Sequence, residues 1–232
     1  MIGRRVSAGA QKNRPIGDLP VGEIIELSMQ SGIMREFLIV HKGRPMSFNP
    51  YQGFEDSVTL LMRNGWEQRP FHTQNLNDYQ NSSSHAWLNN TFLTLIDASV
   101  RYQIRQVRIP FRPGSGGGAT IASGASGLLC RAFSLSMPEV GFGGLANMPA
   151  DGAKLDYFLA GDSTAARSLR MMIPSPDPRT FGEWHTRSPH VGTTSTSNTW
   201  LVRRDGASQS GLASNSSNDI RPAFVLPASF IV

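Results

Sequence analysis

Glycine, proline, serine, threonine and asparagine are spread along the whole chain, and that spread bars long helices. The 232 residues include 23 Gly and 15 Pro. Glycine admits backbone conformations other residues avoid, and proline removes a hydrogen-bond donor, so both tend to end an element. A chain of this kind folds as short strands joined by many turns. Its length suits one large domain or two small ones and is enough to bury a sizeable core. Neither a repeat nor a linker interrupts Asp18 to Val232, so the simplest organisation is one body, residues 18–232, behind a flexible basic arm, residues 1–17.

The local pattern fills in this frame. "VGEIIELSM" and "REFLIVHKG" are β-rich runs separated by "QSGIM", the signature of a hairpin. "SVTLLMRN" reads as a third strand with Gly65 as its stop. The strongest helical signal lies in "NSSSHAWLNNTFLTLIDASVRYQIRQVRIP". Ser82 to Ser84 offer capping hydroxyls, and Leu88, Phe92, Leu95, Ile96, Ser99, Val100 and Ile104 recur at three- and four-residue spacing, which places them on one helical face. Asn89-Asn90 and Asp97-Ala98-Ser99 are the candidate breaks. Pro110 ends the region, and the residues before it read as extended. "NTWLVRRDGA" is a strand running into an Asp-Gly turn, hence half a hairpin. "RPAFVLP" is a final strand fenced by Pro222 and Pro227. The expected class is α+β, with short strands, one helical region before the middle and long C-terminal loops.

Several functions find no support. The formal charge is +5, but the arginines are scattered. Only the arm and the run Arg101, Arg105, Arg108 and Arg112 cluster, and solvated faces account for them, which speaks against nucleic acid. Cys130 stands alone in the apolar run "GLLCRAFSL", so a disulfide and a Cys-rich zinc site are excluded. No apolar leader opens the chain and no run approaches a spanning length, so synthesis in the cytoplasm without membrane insertion is expected. The Gly-rich stretch Arg112 to Gly127 lacks the Lys-Ser/Thr ending of a phosphate loop. The histidines show no metal-binding spacing, "DGAKLD" and "SPDP" lack the oxygen pattern of a calcium loop, and no Gly-x-Ser-x-Gly elbow occurs. Neither cofactor nor metal is expected, and no enzyme activity.

One region asks for a different explanation. "EWHTRSP" and "DIRPAFVLP" each carry an Arg and a Pro, and they fence a long polar stretch from His190 to Asn218. Trp184 can bury a large ring and donate one N–H. Arg187 offers a planar fork suited to several carbonyls or a carboxylate, and Pro189 stiffens the exit. Arg221 and Pro222 repeat the device on the far side. Between these anchors, short hydroxyls and amides supply the adaptable hydrogen bonding of binding loops. The candidate ligand-binding residues are Thr194, Ser195, Asn198, Arg203, Asn215 and Asn218, with Trp200 as either a further contact or a core residue.

The segments "HAWLNNTFLTLIDASVRYQIRQVRIPF", "GLLCRAFSLSMPEVG", "GAKLDYF", "WHTRSP" and "DIRPAFVLP", in that order, resemble a domain family common in prophages and phages of gut Firmicutes. Asp219 stands where that family usually has Gly before Ile-Arg-Pro. The family in turn is distantly similar to the C-type lectin-like fold of phage tropism determinants and formylglycine-generating enzymes, in which a late strand-loop-strand region displays variable side chains on a supported scaffold. The resemblance implies a virion protein: a tail-tip, fibre or capsid-decorating module, a homo-oligomer docked on other virion proteins through its N-terminal arm. Its C-terminal loops would meet a host or mucosal surface glycan or protein. The alternative is a small-molecule-binding domain or a cryptic enzyme of the formylglycine-generating type.

Overall fold

The computed structural model describes residues 13–114, 120–172, 182–192 and 196–232. The fold is mixed α+β, mostly strands with few helices. One five-stranded sheet runs in the order β1 (Ile24–Ser28), β2 (Met34–Lys42), β3 (Ser57–Met62), β12 (Ala223–Pro227), β7 (Ala132–Phe133). A second runs β10 (Ser208–Leu212), β9 (Asn198–Val202), β8 (Trp184–Pro189), β11 (Asp219–Ile220), β4 (Glu67–Gln68). β5 (Val107–Ile109) and β6 (Leu128–Cys130) form a separate pair.

The first sheet is covered on both faces, and this explains its sequence. Leu38, Leu61, Ala223 and Val225 turn toward the second sheet and pack with Trp184, Trp200 and Val202. Phe37, Ile39, Leu60 and Phe224 turn the other way and pack with Trp87, Leu88 and Phe92. A strand with no solvent face needs no polar alternation, so β3 is buried throughout. β12 lies inside the sheet, between β3 and β7, with Pro222 just before its first ladder residue, where a missing N–H costs nothing.

The helical region is broken twice. Ser82 caps α1 (Ser83–Trp87), its hydroxyl accepting from the His85 N–H. The chain then passes through a π-helical turn at Leu88–Phe92 into α2 (Leu93–Leu95). Ile96 is extended, Asp97 accepts from the Ser99 N–H, and α3 (Ala98–Arg101) begins. These breaks reset the helical phase. Leu88, Phe92, Ile96, Val100 and Ile104 are buried, whereas Leu95 is half-buried and Ser99 is exposed, so the seven-residue face expected from spacing is not continuous.

α4 (Thr164–Arg170) has no apolar stripe to announce it, although Ser163 caps it by accepting from the Ala166 N–H. Nor is the arm's end free. Asn13 to Gly17, assigned from sequence to the arm, join the body: the Asn13 N–H donates to Val232, that of Ile16 to Phe230 and that of Gly17 to Ala228, and Ile16 is fully buried. The rest of the arm, residues 1–12, lies outside the described residues.

Phe92 is fully buried, 5.6 Å from the Trp66 ring and 5.7 Å from the Trp87 ring. Truncating a buried Phe loses transfer energy and leaves a cavity, about 3–5 kcal/mol together. Phe92→Ala is expected to lower the urea midpoint accordingly; an unchanged midpoint would remove the helical region from the core.

Candidate functional site

The six residues of β8, Trp-His-Thr-Arg-Ser-Pro, are all buried. Arg187 explains how a charged residue can sit there. A guanidinium carries five N–H donors, and each meets an acceptor. Nε donates to the Pro110 carbonyl at 3.0 Å; Nη1 to the Ser134 carbonyl at 3.0 Å and Glu139 Oε2 at 2.6 Å; Nη2 to Glu139 Oε1 at 2.7 Å and the Asp151 carbonyl at 3.0 Å. Glu139 is completed in turn: the Tyr51 hydroxyl donates to Oε1 at 2.6 Å and the Ser136 N–H to Oε2 at 2.9 Å. Burial alone would lower the Arg187 pKa; the Glu139 carboxylate more than offsets it and holds the guanidinium charged.

A second carboxyl lies beside this pair. Asp151 is fully buried, and the Ser188 hydroxyl, itself accepting from the Met137 N–H, lies 2.8 and 3.0 Å from its two oxygens. Burial pushes Asp151 up to about 7, against the opposing pull of Arg187 and Ser188.

The far anchor has a different chemistry. Arg221 donates to the carbonyls of Met62, Arg170 and Arg63 at 2.8, 3.1 and 3.0 Å, and its guanidinium lies 5.0 Å from the Trp184 ring centroid. Burial lowers its pKa to about 10. Trp184 Nε1 donates to the same Arg170 carbonyl at 3.2 Å, so the last carbonyl of α4 is capped by both anchors. The Arg170 side chain, fully buried, ties Val140, Leu159 and Gly161 and stacks 3.7 Å from the Phe142 ring centroid. Pro189 and Pro222 are buried at the end of β8 and the start of β12.

The fenced stretch is not one loop. Strands β9 and β10 form a hairpin closed at Arg203–Ala207, where Gly206 takes the left-handed conformation (φ +77°) that such a turn demands. Two connections remain, and one neighbouring segment holds both. Asn77 Nδ2 donates to the carbonyls of His190 and Asn198 at 3.1 and 3.2 Å, and the Asn77 N–H donates to Thr196. Asn75 Oδ1 accepts from the Ser214 N–H, and the His72 N–H donates to Ala213. His190 stacks on Trp200, ring centroids 5.4 Å apart, and Trp200 Nε1 donates to the Asn147 carbonyl. Trp200 is therefore a buried support.

The candidate ligand residues separate on this frame. Thr194 and Ser195 lie outside the described residues. Asn198 is half-buried and Asn215 exposed, both at the end of the hairpin away from its turn. Arg203 is exposed but stands at the turn, five residues along from Asn198 and hence about 17 Å away at strand rise. Asn218 must be taken off the surface: it is 3% exposed, with Nδ2 3.5 Å from His185 Nε2. Among the described residues, the exposed side chains of the two connections are Thr196, Asn215, Ser216 and Ser217. Sequence reasoning missed Glu139, Asp151, Tyr51 and Arg170. One signal was available, a lone carboxylate inside the apolar run "LSMPEVGFGG", since a buried charge requires a partner.

The Arg101–Arg112 run does not make one basic face. Arg105 donates to the carbonyls of Glu55 and Asp56, Arg108 to that of Gly127, Arg101 lies against Tyr102, and Arg112 is buried. Among the described residues, no group of three or more His, Cys, Asp or Glu is placed to hold a metal ion, and no helix is long and apolar enough to cross a membrane.

Residues 56–228 match the family described as Domain of unknown function (DUF6273). The chain belongs to the DUF6273 family. No curated protein and no solved structure matches it. The matched span begins just before β3 and ends just after β12, so the DUF6273 region contains both anchors, the Arg187–Glu139 pair and both connections. Asp219, expected to replace a glycine before Ile-Arg-Pro, needs no glycine conformation. It is extended in β11, Oδ2 accepts from the Gly182 N–H at 2.9 Å, and the space for its side chain comes from Gly65, where any Cβ would lie 2.6 Å from that of Asp219.

The buried titratable groups pull stability in opposite directions with pH. Burial lowers His185 to about 4, below its unfolded value of about 6.5. The unfolded state then binds the extra proton, and this contribution rises with pH between those values. Asp151, raised from about 3.9 to about 7, keeps a proton the unfolded chain has released, so its contribution falls over the same interval. Asp151→Asn removes the falling part. The variant's urea midpoint is expected to climb more steeply than the wild type's between about pH 4 and 6.5; an identical slope would mean that Asp151 is ionised in the fold throughout.

Proposed function

We propose that this DUF6273 chain is a C-type lectin-like binding module of a phage virion, a tail-tip, fibre or capsid-decorating component. Its β8–β9 and β10–β11 connections would meet a host or mucosal surface glycan or protein, and its N-terminal arm would dock on other virion proteins. The observation that carries this reading is a division of labour. Each connection is joined at one end to a buried strand, β8 or β11, and Arg187 is bonded at every donor. Among the described residues, the side chains exposed on the connections, Thr196, Asn215, Ser216 and Ser217, are polar. Side chains that contribute nothing to the core are free to serve recognition, and a rigid support spares binding the entropy of ordering them. The β12 strand inside the first sheet and the pairing of Pro15 with Ile231 support the lectin-like assignment, since they bring the two ends of the body together.

Thiol chemistry of the formylglycine-generating type fits less well. Cys130 is buried, and that burial pushes its thiol up to about 12, whereas a nucleophile needs the thiolate.

Replacing Thr196, Asn215, Ser216 and Ser217 together with Ala tests the reading. Surface changes of this kind shift stability by less than about 0.5 kcal/mol each, so the fold is expected to survive while adsorption to host cells or to a glycan array is lost. A variant that adsorbs as well as the wild type would overturn the loop assignment, and absence of the chain from purified particles would overturn the virion assignment.

A further inference from the structure

The outer edge of β10 differs from the other edges of the two five-stranded sheets. A strand at a sheet edge presents unpaired N–H and C=O groups, and proteins blunt such edges with charge, proline, short length or a covering segment. β4 is two residues long and carries Glu67, and β7 is two residues long. β1 carries Glu26 and is partly covered where the Gln30 N–H donates to Leu95 and the Asp97 N–H to Ser28. β10, Ser-Gln-Ser-Gly-Leu, has five residues, no charge and no proline, and no described residue pairs with its outer side. Gln209, Ser210 and Leu212 are exposed, Leu212 at 52%.

The hairpin register says which groups are on offer. The Arg203 N–H donates to Ala207 and the Ala213 N–H to Ser197. Alternation along an antiparallel ladder then turns the backbone of Gln209 and Gly211 inward to β9 and that of Ser208, Ser210 and Leu212 outward. This outward set is symmetric about Ser210. A second β10 laid antiparallel across a two-fold axis at Ser210 sets Ser208 opposite Leu212, Ser210 opposite Ser210, and Leu212 opposite Ser208, so every outward group meets an outward group. A two-fold axis requires such self-complementarity, and the strand brings no like charges together.

We propose that β10 is a self-association edge: two copies of this chain pair through Ser208–Leu212 about an axis at Ser210, joining two five-stranded sheets into one continuous sheet. The inference is independent of what the connections bind. An edge-to-edge contact buries less than a standard interface, so the dimer forms at raised concentration or where copies are held together.

Sedimentation of the full chain across the micromolar range is the test, with hydrogen exchange read at the Ser208, Ser210 and Leu212 amides. The mass is expected to rise from one chain to two, with those three amides becoming protected in step and those of Gln209 and Gly211 unchanged. Ser210→Lys sets two ammonium groups face to face and is expected to weaken association by about a hundredfold with the melting temperature kept. Ser210→Asn, which keeps the backbone pairing and adds no charge, is expected to associate like the wild type. A chain that stays monomeric at every concentration overturns the proposal. So does a dimer that survives Ser210→Lys, or one whose three outward amides stay unprotected. A monomer whose edge instead takes up an extended peptide of another protein would also overturn it.

Discussion

Taking a guanidinium out of water costs several kcal/mol, and only a fully bonded partner set offsets that cost. Arg187 meets this condition with five acceptor atoms on three segments far apart in sequence: Pro110 after β5, Ser134 and Glu139 after β7, and Asp151. None of these segments is fixed by a long helix or a long strand of its own. Arg187 ties all of them from one side chain, and the segments cannot move apart without stranding a charge in the interior. Glu139 completes the arrangement by spending its remaining capacity on Tyr51 and Ser136. A chain rich in turns thus acquires rigidity from a polar hub where a helical protein would use a packed stripe.

Arg221 and Arg170 extend the same principle with carbonyls as partners. Together with Trp184 they close the end of α4 and fasten it to the strands that frame the second sheet. The connections between those strands are therefore relieved of structural duty. Asn75 and Asn77 hold them by backbone groups, which any sequence supplies, so their exposed side chains can change without loss of the body. The proposed recognition surface and the proposed β10 edge both follow from this separation: one exposes side chains, the other exposes backbone.

What the sequence made legible was local. The β1–β2 hairpin, β3, the Ser82 cap, the Asp205-Gly206 turn and β12 each carry their signal within a few residues, and all are present. The burial of Trp184, Arg187, Arg221 and both prolines was arguable from residue chemistry, because an Arg inside an apolar strand has to find partners. Which partners was not legible: Glu139 and Tyr51 lie 48 and 136 residues from Arg187 in the chain, and nothing local ties them. Asn218 was misplaced for a related reason. Polar composition suggested a loop, but the residue leads directly into β11 beneath His185. α4 escaped because it is seven residues long and buries an Arg, which leaves no apolar stripe to read.

The central claim is that Arg187 and Glu139 act as one unit on which the separate segments depend, and a double-mutant cycle of urea unfolding on Arg187→Met and Glu139→Gln measures this directly. Each single replacement leaves the other partner buried and uncompensated, at about 3–5 kcal/mol. The account predicts that the double variant is no less stable than either single one, a coupling of at least about 3 kcal/mol. Single costs that simply add, within about 0.5 kcal/mol, would contradict it and reduce the hub to two independent residues.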